Sequence, residues 1–314
     1  MNNFALTHAP DVPGATSAGT HTGAVYIAGG TTVVDLWKLG AFPLKELVDL
    51  NALNLRQIEA GPAKLQLGAL ATMNAVGEDP NVKANWPVVS QALLLSASPQ
   101  IRNMGTMGGN LLQRPRSVTY RNPDPSRQDG PTRFDAIFGV TPSSRAPHPS
   151  DLAVALMALD ATLHVQSANG PERLLKLSDF YKVPGKDLRF DTLQPGDLIT
   201  SVETAVPYGR RSAYIKIRDR ASYQFAVVSA AVALNVSGGV IRQANLAAGG
   251  VGTIPWRLPA IESALVGKPA TVEAFESALS DVGKGATTHP QNAFKIALLK
   301  QTLVRGLVAS AAIT

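Results

Sequence analysis

Two short segments hold the residues of this chain best suited to chemistry. The first is Ala28-Gly29-Gly30-Thr31-Thr32. Adjacent glycines let the backbone approach a bulky anion, and successive N–H groups can form a concave nest around it. Thr31 and Thr32 add hydroxyl donors, and a following helix turns its weakly positive N-terminal end toward the same point. A diphosphate suits that chemistry, and a plain strand-to-helix turn suits the same residues. The second segment is Ile101-Arg102-Asn103-Met104-Gly105-Thr106-Met107-Gly108-Gly109-Asn110. Its clustered glycines read as a loop able to approach a flat or charged ligand, with Asn110 free to donate and accept. An irregular turn between buried elements is the competing explanation. Two such segments in one chain suit a dinucleotide-sized ligand.

The flanking pattern indicates what must position them. The apolar run Gly23–Ala28 predicts a strand stopped by the glycine pair, with a short helix over Val33–Leu39. Glu46–Leu50, Leu55–Ile58 and Ala63–Gly68 read as further strands. From Asp79 the pattern turns helical. Pro87 suits a first turn, Val88, Val89, Ala92, Leu93 and Leu95 supply the buried face, and Ser98-Pro99 ends the helix. Residues 114–147, rich in Pro, Ser, Arg and Asp, read as one long connection. His148-Pro149-Ser150-Asp151 then opens a helix through Leu159, capped by Ser150 or Asp151. Thr162–Gln166 and Glu172–Leu177 flank Ser167-Ala168-Asn169-Gly170 as a hairpin. Leu198–Val206 follows Pro195-Gly196 as a strand. Three strand-like runs come next, Ser212–Arg218, Phe225–Val236 and Val240–Ala248, and helices finish the chain, the last over Asn292–Ala309. The expected fold is α+β, with one domain over residues 1–202, subdivided near residue 55. A second domain over 203–314 carries a three-stranded antiparallel sheet with helices.

Composition removes several classes of function. Hydrophobic residues make up 45% of the 314 and charged residues 17%, enough apolar material for a real core. The net charge of +6 is dispersed. Its densest patch, Arg210, Arg211, Lys216, Arg218 and Arg220, alternates with apolar residues like a strand. This charge serves solvation and attraction of an anionic ligand, with no nucleic-acid partner expected. The sequence has no cysteine, which excludes disulfides, thiolate zinc sites, cysteine nucleophiles and cysteine-ligated clusters. His8, His21, His148, His164 and His289 lack ligand spacing, so no metal site is expected. No phosphate-loop, G-x-G-x-x-G, H-E-x-x-H or G-x-S-x-G motif occurs, and no catalytic acid, base or nucleophile is assigned. The longest apolar stretches, such as Phe225–Val236, fall short of the ~20 residues of a membrane span. Met1–Asp11 lacks the pattern of a signal peptide. A cytoplasmic location is expected, the alternative being periplasmic by export with a signal-bearing partner.

A family resemblance now attaches to these residues. A-G-G-T at 28–31, I-R-N-x-G-T-x-G-G-N at 101–110 and S-D-L at 150–152 resemble the FAD subunit of molybdenum hydroxylases. That group includes xanthine dehydrogenases, aldehyde oxidoreductases and carbon monoxide dehydrogenases. Lys216-Ile-Arg-Asp-Arg-Ala-Ser-Tyr223 resembles a motif of the family's C-terminal domain, so the likeness spans nearly the whole chain. It is most similar to the FAD subunit of bacterial heterotrimeric aldehyde oxidoreductases, where H-P-S-D and a late H-P-x-x-N-x-F-K also recur. Here the last is His289-Pro-Gln-Asn-Ala-Phe-Lys295, an imperfect fit.

The resemblance implies a two-part FAD-binding domain of the vanillyl-alcohol-oxidase type. It implies that Val25, Tyr26, Ile27, Ala28, Gly29, Gly30, Thr31, Thr32 and Val33 wrap the FAD diphosphate. Gly105, Thr106, Gly109 and Asn110 would meet the ribityl and phosphate region, Asp151 a flavin hydroxyl, and Lys216 would lie near the isoalloxazine ring. A helix cap competes for Asp151 and a solvated strand position for Lys216. For His148 and Tyr223 structural roles are the simpler assignment. Substrate would be oxidised at a molybdenum cofactor on a large partner subunit, with electrons passing through 2Fe–2S clusters on a small one, in a heterotrimer or its dimer. FAD on this chain would hand them to an external acceptor. Aldehydes are the first substrate class implied; xanthine or other N-heterocycles come second. A stand-alone flavin oxidase and a flavin-free scaffold subunit are the rivals. Close relatives often hold a four-iron cluster with cysteines in the loop after the second glycine segment. Residues 114–147 have none, so that cluster is excluded here, and Arg114, Arg116, Tyr120 and Arg121 stand at the start of the loop.

Overall fold

The computed structural model describes residues 3–122, 124, 130–168, 170–206 and 208–312. Three sheets organise it. The first contains β1 (Ala5–His8), β2 (Ala24–Ile27) and β3 (Glu46–Asp49), all parallel, in the order β1-β3-β2. The helices Val12–Ala18 and Val33–Lys38 make the crossovers that parallel neighbours require. The second contains β4 (Ile58–Ala60), β5 (Leu65–Gly68), β6 (Thr162–Gln166), β7 (Arg173–Lys176) and β8 (Leu198–Thr204). It is antiparallel, in the order β4-β5-β8-β6-β7. The third contains β9 (Ser212–Ile217), β10 (Val228–Ser237), β11 (Val240–Gly249) and β12 (Trp256–Arg257), antiparallel in sequence order.

This last sheet corrects an expectation, because it has four strands and not three. The added strand β12 is two residues long and pairs only with Ala247 and Ala248 of β11. A strand that short, next to Pro255, leaves no alternation to detect. Other corrections have similar causes. The helix expected to end at Ser98-Pro99 ends at Leu94, and Pro99 instead opens a new helix, Pro99–Met104, capped by Ser98. The second glycine segment is therefore no loop. It comprises the end of that helix and the short helix Met107–Leu111, joined at Gly105-Thr106. Leu55–Ile58 is not a strand; the strand begins at Ile58. The β1 strand and the helix Val12–Ala18 are elements that the sequence pattern does not predict. Within the long connection 114–147, Pro123 and Pro125–Asp129 lie outside the described residues, as does Asn169 of the expected hairpin turn.

The helix Asp151–Ala158 sits at the centre. All its residues are buried, and it packs on β10 and β11 as well as on the helix Pro87–Leu94. It therefore belongs to both halves of the molecule. Ser150 caps it, accepting from the Ala153 N–H at 2.9 Å, which leaves the Asp151 carboxylate free for other partners. The β10–β11 hairpin turns through Gly238 and Gly239, both at positive φ (58° and 72°), the conformation that matches the strand twist and favours glycine.

The late motif has a structural role. Lys295, fully buried, donates to the carbonyls of Phe134, Asp135 and Gly250 at 2.7–2.8 Å. His289 contacts the Asp135 carboxylate at 3.2 Å, and Asn292 donates to the Ala136 carbonyl. The motif thus staples residues 134–136 of the long connection to the C-terminal helix Phe294–Ala311. Among the described residues no helix is long and apolar enough to cross a membrane. A Lys295→Met substitution leaves three buried carbonyls without donors and should cost about 3 kcal/mol or more of unfolding free energy. A lower urea midpoint at unchanged slope is the expected signature.

Candidate cofactor-binding site

The two glycine segments touch. A Cβ on Gly29 would lie 1.7 Å from the Met104 carbonyl oxygen, so only glycine admits this approach. Gly30 follows in the left-handed region, φ +70°, turning the chain from β2 into the helix Val33–Lys38. On the other side, residues 105–108 are stitched to residues 69–73. The Met73 N–H donates to Gly105 O, Met107 N–H to Ala71 O and Gly108 N–H to Ala69 O, at 2.8–3.0 Å. The Thr106 hydroxyl caps its helix, accepting from the Gly109 N–H at 3.3 Å.

A cleft opens on each side of this junction. The first, about 450 Å³, is lined by Val25, Tyr26 and 28–33, and by Thr106, Gly108 and Gly109. Ile27, assigned to the same segment from sequence, is off this lining. The Tyr26 hydroxyl is buried in the cleft wall without a partner. Burial and then the nearby Asp197 carboxylate push its pKa up to about 12, so it stays a neutral donor. The segment Leu193–Ile199 closes the far wall, and Arg114, lying over the Phe42 ring at 5.6 Å, brings a guanidinium. Arg114 is one of the residues noted at the start of the long connection; Phe42 and the segment Leu193–Ile199 carry no local signal, because their partners lie far away along the chain.

The second cleft, about 470 Å³, shares Thr31, Thr32 and Gly109 with the first and continues to Gly105, Asn110, Asp151 and Lys216. Its floor is a closed polar network. Lys216 Nζ bonds Asp151 Oδ2 at 2.7 Å and the Leu95 carbonyl at 3.2 Å. The Ser96 hydroxyl also donates to Asp151 Oδ2, and the Tyr214 hydroxyl donates to Oδ1 at 2.6 Å. With the Asp151 side chain 6% exposed and that of Lys216 1%, this pair is out of water and holds because each charge meets the other and further hydrogen-bond partners. Neither competing role assigned from sequence holds: Asp151 is no cap and Lys216 is no solvated strand residue. Asn110 accepts from the Ser150 hydroxyl at 2.5 Å, tying the second glycine segment to the same corner.

Two non-glycine residues on this lining, Ala97 and Tyr223, have left-handed backbones, φ 48° and 55°. Such strain gathers where the surrounding structure imposes a shape. Tyr223 is 58% exposed at the rim, beside Phe225. His148, in contrast, is buried edge-on against Tyr181 and Phe190, with ring centroids 4.8 and 5.2 Å away. Burial drives its pKa down to about 3.

Known proteins show which family the chain belongs to. The profile of the FAD binding domain in molybdopterin dehydrogenase matches residues 3–208, and that of the CO dehydrogenase flavoprotein C-terminal domain matches 213–312. The aldehyde oxidoreductase FAD-binding subunit PaoB of Escherichia coli K12 is 38% identical, with 95% of each chain covered. The chain belongs to the family of FAD-binding subunits of molybdopterin dehydrogenases. The glyceraldehyde dehydrogenase medium chain of Sulfolobus acidocaldarius is 29% identical, over 82% of this chain and 78% of that one. A solved structure of CO dehydrogenase from Oligotropha carboxidovorans superposes with a TM-score of 0.79 at 22% identity, covering 100% and 99% of the two chains. The fold is therefore the FAD-binding domain followed by the CO dehydrogenase flavoprotein C-terminal domain.

Two outcomes follow from the geometry. Gly29→Ala forces its methyl into the Met104 carbonyl; an overpacking cost of about 1–3 kcal/mol borne by the bound form corresponds to a loss of about 5- to 150-fold in FAD affinity, measured by flavin fluorescence titration. His148 concerns acid stability. Its folded pKa lies below its unfolded value, so the unfolded chain binds the extra proton and stability is lost as pH falls from about 6.5 toward 3. Denaturant titrations at several pH values should show His148→Phe losing about 1.4 kcal/mol less per pH unit across that window than the wild type.

Proposed function

We propose that this chain carries FAD as the electron-transfer subunit of a molybdenum-containing aldehyde oxidase or dehydrogenase. The observation that carries this reading is the pair of adjoining clefts that share Thr31, Thr32 and Gly109 on their linings. Two adjoining clefts suit a dinucleotide with its diphosphate where they join. Val25–Val33 would hold the diphosphate through backbone N–H groups and the Thr31 and Thr32 hydroxyls. The unpartnered Tyr26 hydroxyl supplies a donor in the first cleft for the far end of the molecule. Gly105 and Gly109 would give close backbone approach, while Thr106 and Asn110 would flank the ribityl chain. Asp151 Oδ1, which accepts only from Tyr214, retains a lone pair for a flavin hydroxyl. Lys216 would set the charge beneath the ring.

When bound, FAD supplies a ring that accepts and releases electrons singly or in pairs. The residues of this chain hold it, exclude water from its inner face and fix the local field. No general acid or nucleophile is needed for that task. The likeness to PaoB supports an aldehyde-oxidising assembly, with a large molybdenum-cofactor subunit and a small 2Fe–2S subunit as partners. The chain itself has no cysteine to ligate a cluster.

Expression with the neighbouring subunits should yield a complex that carries flavin, molybdenum and iron. The isolated chain should show an oxidised-flavin spectrum and release one FAD on denaturation. Folded, colourless protein that does not take up added FAD would sink the reading. Unaided aldehyde or alcohol oxidation by the isolated chain would replace it with the stand-alone oxidase.

A further inference from the structure

A third cavity, about 370 Å³, lies beside the second cleft and is walled in part by the long connection. Pro147, Val154, Phe134 and Phe225 give it apolar surface. Its volume falls in the range of small-molecule sites, about 300–1,000 Å³.

Among the described residues, three polar side chains of this wall lack a hydrogen-bond partner: Ser117, His148 and Ser229. His148 and Ser229 are 3% and 1% exposed. The His148 Nδ1 accepts from the Ser150 N–H at 3.4 Å, which leaves the ring proton on Nε2 as a donor. Ser117 stands at a helix N-cap, yet its hydroxyl makes no capping bond. The Ser229 hydroxyl lies near that of Tyr214 without reaching a normal hydrogen-bond geometry. Buried donors left unpaired cost free energy unless an acceptor fills the space between them.

The charges around the wall do not balance. Asp151 is met by Lys216. Asp135 takes its hydrogen bonds from Thr132 and His289, and Arg145 stands 3.9 Å from it, beyond hydrogen-bonding reach. Arg116 and Arg121 share one carboxylate, that of Asp35. One positive charge is therefore left over. Burial, and then the charge of Arg121, pull the Arg116 pKa down, as befits a guanidinium short of counter-charge. A neutral ligand would leave that surplus in place, and a dianion would exceed it. A monoanion matches it, and its oxygens accept from the free donors. An inorganic anion would answer the donors but leave the apolar surface bare.

We infer that this cavity binds a small ring-bearing monocarboxylate, its charge answered by Arg116 and Arg145 and its ring packed against Phe134 and Phe225. The binding stands on the wall alone. Only its link to turnover rests on the aldehyde reading above, since oxidation of an aldehyde releases a carboxylate, and product is then a natural occupant.

Sodium benzoate is the probe, with benzamide as its neutral counterpart and inorganic phosphate as a bare anion. Calorimetric titration of the full chain at fixed ionic strength should give saturable one-to-one benzoate binding, with and without FAD. Benzamide and phosphate should each bind at least about tenfold more weakly. Arg145 and Ser117 line this cavity and are absent from both flavin clefts. Arg145→Gln, at a side chain 41% exposed, should weaken benzoate about threefold to tenfold with FAD content unchanged. Ser117→Ala deletes a hydroxyl that bonds nothing in the fold, and should weaken benzoate by a similar factor. Absence of saturable binding overturns the inference. So does benzamide or phosphate binding as tightly as benzoate, binding that neither variant alters, or binding abolished by FAD. A chain that retains FAD and ignores benzoate removes this site alone, whereas one that binds benzoate but never FAD removes only the earlier reading.

Discussion

Asp151 and Lys216 meet where the two halves of the chain come together. Asp151 begins the central buried helix, Lys216 lies in β9, and their 2.7 Å contact is sealed from water. Isolated, either charge would be costly to bury, so each depends on the other and on Ser96, Tyr214 and the Leu95 carbonyl. That mutual dependence fixes how β9 sits against the first two-thirds of the chain. It also sets the floor of the second cleft, because the network occupies the position that water would otherwise fill. A hydrophobic replacement could pack as well, but it would not place a carboxylate oxygen at a cleft wall.

The glycine contact supplies the complementary constraint. Helices and strands ordinarily keep their backbones apart by the width of their side chains. At Gly29 that spacing collapses, and the backbone of the first segment rests on the Met104 carbonyl. The two clefts beside this contact share Thr31, Thr32 and Gly109. Two clefts joined at donor-bearing residues suit a ligand whose most anionic part is in its middle.

Stapling of the long connection by Lys295 shows how a feature near the C-terminus shapes this region at a distance. Three carbonyls converge on one ammonium, two of them from residues 134 and 135 and one from Gly250 at the end of β11. The connection is thereby held over the mouth of the β10–β11 hairpin's open end, where it forms a wall beside Arg145 and His148. A stretch poor in periodicity is ordered here by partners that lie more than a hundred residues away.

Local pattern made much of this legible. Gly29 and Gly30, the S-D-L opening of the central helix, and the three long runs of the third sheet are all local signals, carried by residue type and by alternation. So were the absent cysteines, which alone remove any cysteine-ligated cluster. The sequence by itself therefore determined the family, the general fold and the two segments that meet at the clefts, but not most of the residues that line them. It failed where meaning depends on contact. The span 101–110 looked like a loop, because nothing local records that Gly105–Gly108 bonds back to residues 69–73. The choice between Ser150 and Asp151 as cap was decided by Asn110, Ser96 and Lys216, which reach that corner from three distant segments. Likewise β12 exists only because Ala247 and Ala248 offer it an edge. Backbone propensity and periodicity are written along the chain, whereas burial, charge pairing and close approach arise only when the chain has brought remote residues together.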